Sequence, residues 1–176
     1  MEAKQIVLIT GERQVGKSTL CRSLVQQWQA SGTQVSGLLT QRTGPHDLEV
    51  TEIRTGAQYP LTLPFSNRNG LLLPNFTMDP QAMARSAQAL ADSFPTQTLV
   101  LDELGPLELN MGQGWAAATD LLQHEPYRTA FIVIRPELLM KAIQKLASSL
   151  YTVVQVTEEN RDDLPGSLLS LCQRRL

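Results

Sequence analysis

Apolar residues fall into short runs separated by stretches with helical spacing, and that rhythm predicts the architecture. Gln5–Thr10 (QIVLIT) is a β-rich run ending at a glycine, as expected of a strand buried on both faces. Beyond it Leu20, Leu24 and Trp28 recur every four residues, with Cys21 and Val25 widening the stripe. That spacing predicts a helix from Lys17 to about Ala30, closed by Ser31-Gly32. Val35–Thr40 reads as a second strand. Thr98–Leu101, Ala130–Ile134 and Tyr151–Val156 are further short apolar runs, the last read as a core strand. Helices are expected from Pro80 to about Ser93, near Trp115–Gln123, after Pro136, and over roughly Arg161–Arg174. Asp79-Pro80 gives the first of these an N-cap and a first-turn proline. Strands alternating with helices predict βαβ units, hence an α/β fold of three layers around a mostly parallel central sheet.

Residues 42–75 break the rhythm. Leu48–Arg54 alternates apolar and polar, and Tyr59–Leu63 follows the turn signal Thr55-Gly56. We read a small β-hairpin or meander inserted into one domain spanning residues 1–176, with a turn-rich loop at Ser66–Gly70.

The first strand runs directly into Gly11-Glu12-Arg13-Gln14-Val15-Gly16-Lys17-Ser18, which fits GxxxxGK[ST] without a mismatch. A strand before it and a helix after it are the context this phosphate-loop motif requires. Successive backbone N–H groups and the helix N-terminus point at one anion, and glycines allow the tight curvature. Gly11 to Thr19 are therefore the expected nucleotide-binding residues. Lys17 is expected to reach the β- and γ-phosphates, and Ser18 to ligate Mg2+ through its hydroxyl.

The strand TLVL ends at Asp102-Glu103. Asp102 is expected to join Ser18 at the Mg2+ site, and Glu103 to orient and deprotonate the attacking water. Arg135 ends the strand AFIVI, at the sheet edge where open α/β folds bind ligands, and is expected to act as a catalytic or sensing cation. Asn160 and Arg161 follow the last strand and are expected to border the base. Glu108 reads either as an organiser of the Glu103 loop or as a plain surface glutamate.

Composition narrows the function. Net charge is −2, with 42% hydrophobic and 18% charged residues, so no basic surface for nucleic acid is expected. No apolar window is long enough to span a membrane, and the N-terminus lacks the pattern of a signal peptide, so the cytoplasm is expected. Cys21 and Cys172 read as small buried apolar residues, and His46 and His124 have no metal-ligand spacing.

Three blocks carry a resemblance over nearly the whole chain: ITGERQVGKSTL with SGLLTQ, LVLDELGPLEL, and VTEENRDDLPGSL. Together they are similar to the family of cancer-related nucleoside-triphosphatases, P-loop nucleotide phosphatase/kinase proteins. The resemblance implies hydrolysis of the γ-phosphate of ATP, GTP and other nucleoside triphosphates with Mg2+. The chain departs from the family pattern where Arg13 and Gln14 replace a proline and a glycine of the phosphate loop. Pro106 and Leu107 replace a common lysine-methionine pair, and LLLPNF replaces an arginine-glycine-aromatic lead-in. Two other functions stay open at this level. One is a kinase acting on a nucleotide or other small acceptor, for which the insert offers only Arg42, Arg54 and Arg68. The other is a nucleotide-dependent switch or assembly factor with a protein partner, whose slow hydrolysis resets binding.

Overall fold

The computed structural model describes residues 4–67, 69–146 and 150–173, the last three by backbone alone. Arg68, Arg174 and the side chain of Cys172 lie outside the described residues. The chain runs β1 (Gln5–Thr10), α1 (Lys17–Ala30), β2 (Val35–Arg42), β3 (Leu48–Glu52), β4 (Gln58–Pro60), β5 (Thr62–Leu63), β6 (Leu71–Leu72) and β7 (Thr77–Met78). There follow α2 (Pro80–Ala91), β8 (Thr96–Leu101), α3 (Pro106–Leu109), α4 (Ala118–His124), β9 (Tyr127–Val133), α5 (Leu139–Lys145), β10 (Leu150–Gln155) and α6 (Leu164–Gln173).

Seven strands form the main sheet in the order β10-β1-β9-β8-β2-β3-β4. The first five are mutually parallel, and β3 and β4 are added through antiparallel pairings, so that β3 alone runs against the others. One strand, β9, therefore separates β1 from β8, and so separates the phosphate loop from the acidic strand end. Alternate residues of each central strand face opposite layers. Val7, Ile9, Val100, Phe131 and Val133 share one buried cluster with Leu20, Leu24 and Trp28 of α1 and Leu168 of α6. Ile6, Leu8, Leu99, Leu101 and Ile132 share the other with Met83 and Leu90 of α2, Leu122 of α4 and Ala142 of α5. Phe131 is fully buried, with its ring centroid 4.8 Å from that of Trp28. Truncating such a side chain to alanine costs about 3–5 kcal/mol.

The expected strands and helices are present, with differences that have local causes. The apolar stretch Tyr59–Leu63 is divided between two sheets. β4 extends the main sheet, and β5 joins a separate three-stranded sheet of order β5-β7-β6. Leu61, 1% exposed, links the two: its N–H donates to Leu48 O and its carbonyl accepts from Asp79 N. The helix expected near Trp115 begins only at Ala118, because Gly112 and Gly114 take left-handed conformations and Trp115 N–H is held by the Glu108 carboxylate. The last strand was expected in the core, but β10 lies at the edge of the sheet, with Leu150, Tyr151 and Val153 exposed. Its apolar pattern is that of a central strand, and only pairing order distinguishes the two. Among the described residues no helix is long and apolar enough to cross a membrane.

Candidate nucleotide-binding and catalytic site

The phosphate loop leaves β1 at Gly11 and enters α1 at Lys17. Gly11 has φ +148°, and a Cβ there would stand 2.5 Å from the Val156 carbonyl, so only glycine lets the loop lie against the end of β10. Gly16 caps α1 in a left-handed conformation, φ 111°. Between them Gln14 has φ 63°, a conformation that a side chain rarely takes. It occupies the position where the resembling family carries glycine. Val15 is buried against the core, whereas Glu12, Arg13, Gln14 and Thr19 are exposed.

The Lys17 ammonium donates to the carbonyls of Gly11 and Glu12, each at 2.6 Å. Burial lowers its pKa, against the opposing pull of Glu103 and Asp102. The Ser18 hydroxyl donates to Asp102 Oδ1 at 3.1 Å. Asp102 is 1% exposed, and burial pushes its carboxyl up to about 6, opposed by the Ser18 hydroxyl and the Thr40 amide. Thr40 was not singled out in the sequence. From the end of β2 its N–H reaches Asp102 Oδ2 at 3.4 Å and its hydroxyl donates to Asp102 O at 3.0 Å. A hydroxyl and a carboxylate oxygen converging in this way suit a hard cation such as Mg2+.

Glu103 takes the left-handed φ of 84°, which turns its side chain out of the strand direction. Its carboxylate pairs with Arg135 Nε, and both side chains are about one-third exposed. Leu104 N–H donates to Val133 O at 2.9 Å, tying the loop that carries Glu103 to the strand that carries Arg135. Arg135 can meet Glu103 because β9 lies between β1 and β8. Glu108 is an organiser of this loop rather than a surface glutamate. It is 7% exposed and accepts from Gly105 N–H at 3.0 Å and Trp115 N–H at 3.3 Å. Burial raises its pKa. The Trp115 indole N–H in turn donates to Ser86 Oγ at 2.8 Å, anchoring the loop to α2.

Beyond β10 the structure divides the two expected base-side residues. Asn160 closes its own loop: Oδ1 accepts from Thr157 N–H at 2.8 Å and Nδ2 donates to Gln155 O at 2.9 Å. Arg161 lies over the phosphate loop, its Cδ 3.6 Å from where a Cβ on Gly16 would stand. Lys17, Ser18, Asp102, Glu103, Arg135 and Arg161 thus gather at the C-terminal edge of the parallel strands, the edge at which open α/β sheets bind ligands. Thr40, Leu104 and Val156 join them through contacts that no short motif marks.

A phosphate loop leading into a helix, with acids at the end of a second parallel strand, defines a P-loop NTPase fold. The NTPase family profile matches residues 6–169, and the chain belongs to that family. Its activity class is nucleoside-triphosphate hydrolysis. The chain is 28% identical over 185 residues to the nucleoside-triphosphatase THEP1 of Natranaerobius thermophilus, covering 97% of each. Its fold matches the solution structure of a human cancer-related nucleoside triphosphatase, with TM-score 0.76 and 23% identity over 98% of this chain and 99% of that one. It also matches the crystal structure of THEP1 from the hyperthermophile Aquifex aeolicus, with TM-score 0.71 and 21% identity over 96% and 99% of the two chains.

Proposed function

We propose that the protein is a Mg2+-dependent hydrolase that releases the γ-phosphate of ATP, GTP and other nucleoside triphosphates, acting as a single domain. The observation that carries this reading is the convergence of Ser18 and Asp102 at 3.1 Å with Glu103 as the next residue. The backbone amides of Gly11 to Thr19 bind the β-phosphate, and Lys17 shifts from the loop carbonyls to the β- and γ-phosphates. Ser18 and Asp102 would hold Mg2+, which when bound supplies charge neutralisation at the β- and γ-phosphate oxygens.

Glu103 orients a water in line with the γ-phosphorus and accepts its proton. The water oxygen bonds to phosphorus as the bond to the bridging oxygen breaks, and the electron pair leaves on the diphosphate. General-base help of this kind contributes about 10²–10⁴ in rate. Arg135 keeps the Glu103 carboxylate in place. Asn160 has its amide committed to its own loop, which leaves no carboxamide at that position to read one base edge and fits tolerance of several bases.

Water is favoured over a phosphoryl acceptor by the two described arginines of the insert, Arg42 and Arg54. Arg42 is bonded to the carbonyls of Gly44 and Pro45 and lies over the Phe76 ring, and Arg54 is bonded to Asp92 O. Arg42 is thus engaged within the insert, and Arg54 ties the insert to the end of α2. Phosphate release across a panel of nucleoside triphosphates, with and without Mg2+, tests the reading. Lys17→Ala and Glu103→Gln are expected to abolish release, and wild-type rates in both would refute it.

A further inference from the structure

The phosphate loop carries a cation that the roles above do not use. Lys17 contacts the carbonyls of Gly11 and Glu12, each at 2.6 Å. The second of these carbonyls belongs to the peptide group that joins Glu12 to Arg13. The backbone of Arg13 therefore starts beside the ammonium that marks the β- and γ-phosphate end of the loop. Arg161 approaches the loop from its other end, over Gly16. Arg135 is paired with Glu103, so its charge is already engaged in holding the base. The Arg13 side chain is exposed, and among the described residues no hydrogen bond or ion pair holds its guanidinium.

We propose that Arg13 is the cation that meets the terminal phosphate, acting from within the same chain on the charge that develops in the transition state. Arg135 then works through Glu103 as a positioning residue. The assignment rests on the hydrolytic reading above and deepens it. A planar guanidinium offers several N–H donors to the equatorial oxygens of the phosphoryl group in flight, and it keeps its charge at any working pH. A nucleoside diphosphate has no phosphate at that position. Arg13 thus distinguishes triphosphate and transition state from product while adding little to diphosphate binding. No bond to Arg13 forms or breaks: its contribution is electrostatic, and the proton and electron pair follow the course already given.

Arg13→Ala and Arg13→Lys, compared with wild type, test this by two measurements. The first is steady-state phosphate release from ATP with Mg2+. The second is binding of ADP with Mg2+, with and without aluminium fluoride, which occupies the place of the transferring phosphoryl group. For Arg13→Ala we expect kcat to fall by about 10²-fold, ADP affinity to stay at the wild-type value, and the tightening of ADP by aluminium fluoride to be lost. Arg13→Lys should retain part of both. If Arg13→Ala keeps wild-type kcat and the aluminium fluoride effect, the arginine assignment is overturned while hydrolysis stands. If wild type releases no phosphate from any triphosphate, the hydrolytic reading fails and takes this assignment with it.

Discussion

Ser18 and Asp102 stand 84 positions apart in the chain, yet the hydroxyl of one donates to the carboxylate of the other at 3.1 Å. One residue starts α1 and the other ends β8, and β9 runs between their strands. The contact therefore spans the width of a strand and depends on the whole parallel register.

On the proposed reading that Asp102 ligates Mg2+, its environment sets a pH dependence for cation binding. Burial holds its carboxyl at about 6, and only the carboxylate ligates a hard cation well. Proton and cation compete for the same oxygens, so affinity is nearly full from about one unit above pH 6 and falls by roughly tenfold per unit below pH 6. A nucleotide-free titration with Mn2+ as a reporter for Mg2+, repeated between pH 5 and 8, measures this. An affinity flat across that range would show that Asp102 does not ligate the metal.

Arg135 contacts Glu103, the proposed general base, so on that reading its loss should act on the chemical step. Arg135→Ala is expected to lower kcat by roughly 10- to 100-fold with KM little changed. Added guanidinium ion should restore part of the rate. A matching rise in KM at constant kcat would instead mean that Arg135 contributes to ground-state nucleotide binding.

Gln14 holds φ 63° without being glycine. A side chain in that conformation costs about 1–2 kcal/mol, while a glycine loses more backbone entropy on folding, by about 0.5–1 kcal/mol. The two nearly offset, so Gln14→Gly should change stability by less than about 1 kcal/mol, in the stabilising direction. Gln14→Val, branched at Cβ, should be destabilised by about 1–2 kcal/mol relative to the parent. Urea unfolding of the three proteins decides it, and equal midpoints would show that the loop relaxes out of the left-handed region.

Much of the fold was legible because its causes are local. QIVLIT, TLVL and AFIVI are continuous apolar runs, and strands buried on both faces need such runs. Asp79-Pro80 marks a helix start, and Asp79 Oδ1 accepts from Gln81 N–H at 2.9 Å. The phosphate loop was legible for a stricter reason: eight contiguous residues supply its curvature, its lysine and its hydroxyl. Elements defined by pairing were less legible. LYTVVQ has the composition of a core strand and stands at the edge, and Tyr59–Leu63 reads as one strand and serves two sheets. Asn160 illustrates the same limit at the site. Its position after the last strand is that of a residue bordering the base, whereas the bonds of its amide to Thr157 N–H and Gln155 O are set by the fold of its own loop.

The amino-acid sequence by itself determined the layered α/β frame, the glycine-bounded loop between β1 and α1 and the two acids at a strand end, because each is written in neighbouring residues. Only the tertiary structure decided that Glu103 faces Arg135, that Thr40 braces Asp102, that Glu108 is buried and that Arg161 lies over Gly16. Those relations are set by strand order. With β9 interposed between β1 and β8, residues from distant parts of the chain meet at one edge of the sheet, and no local spacing encodes which of them touch.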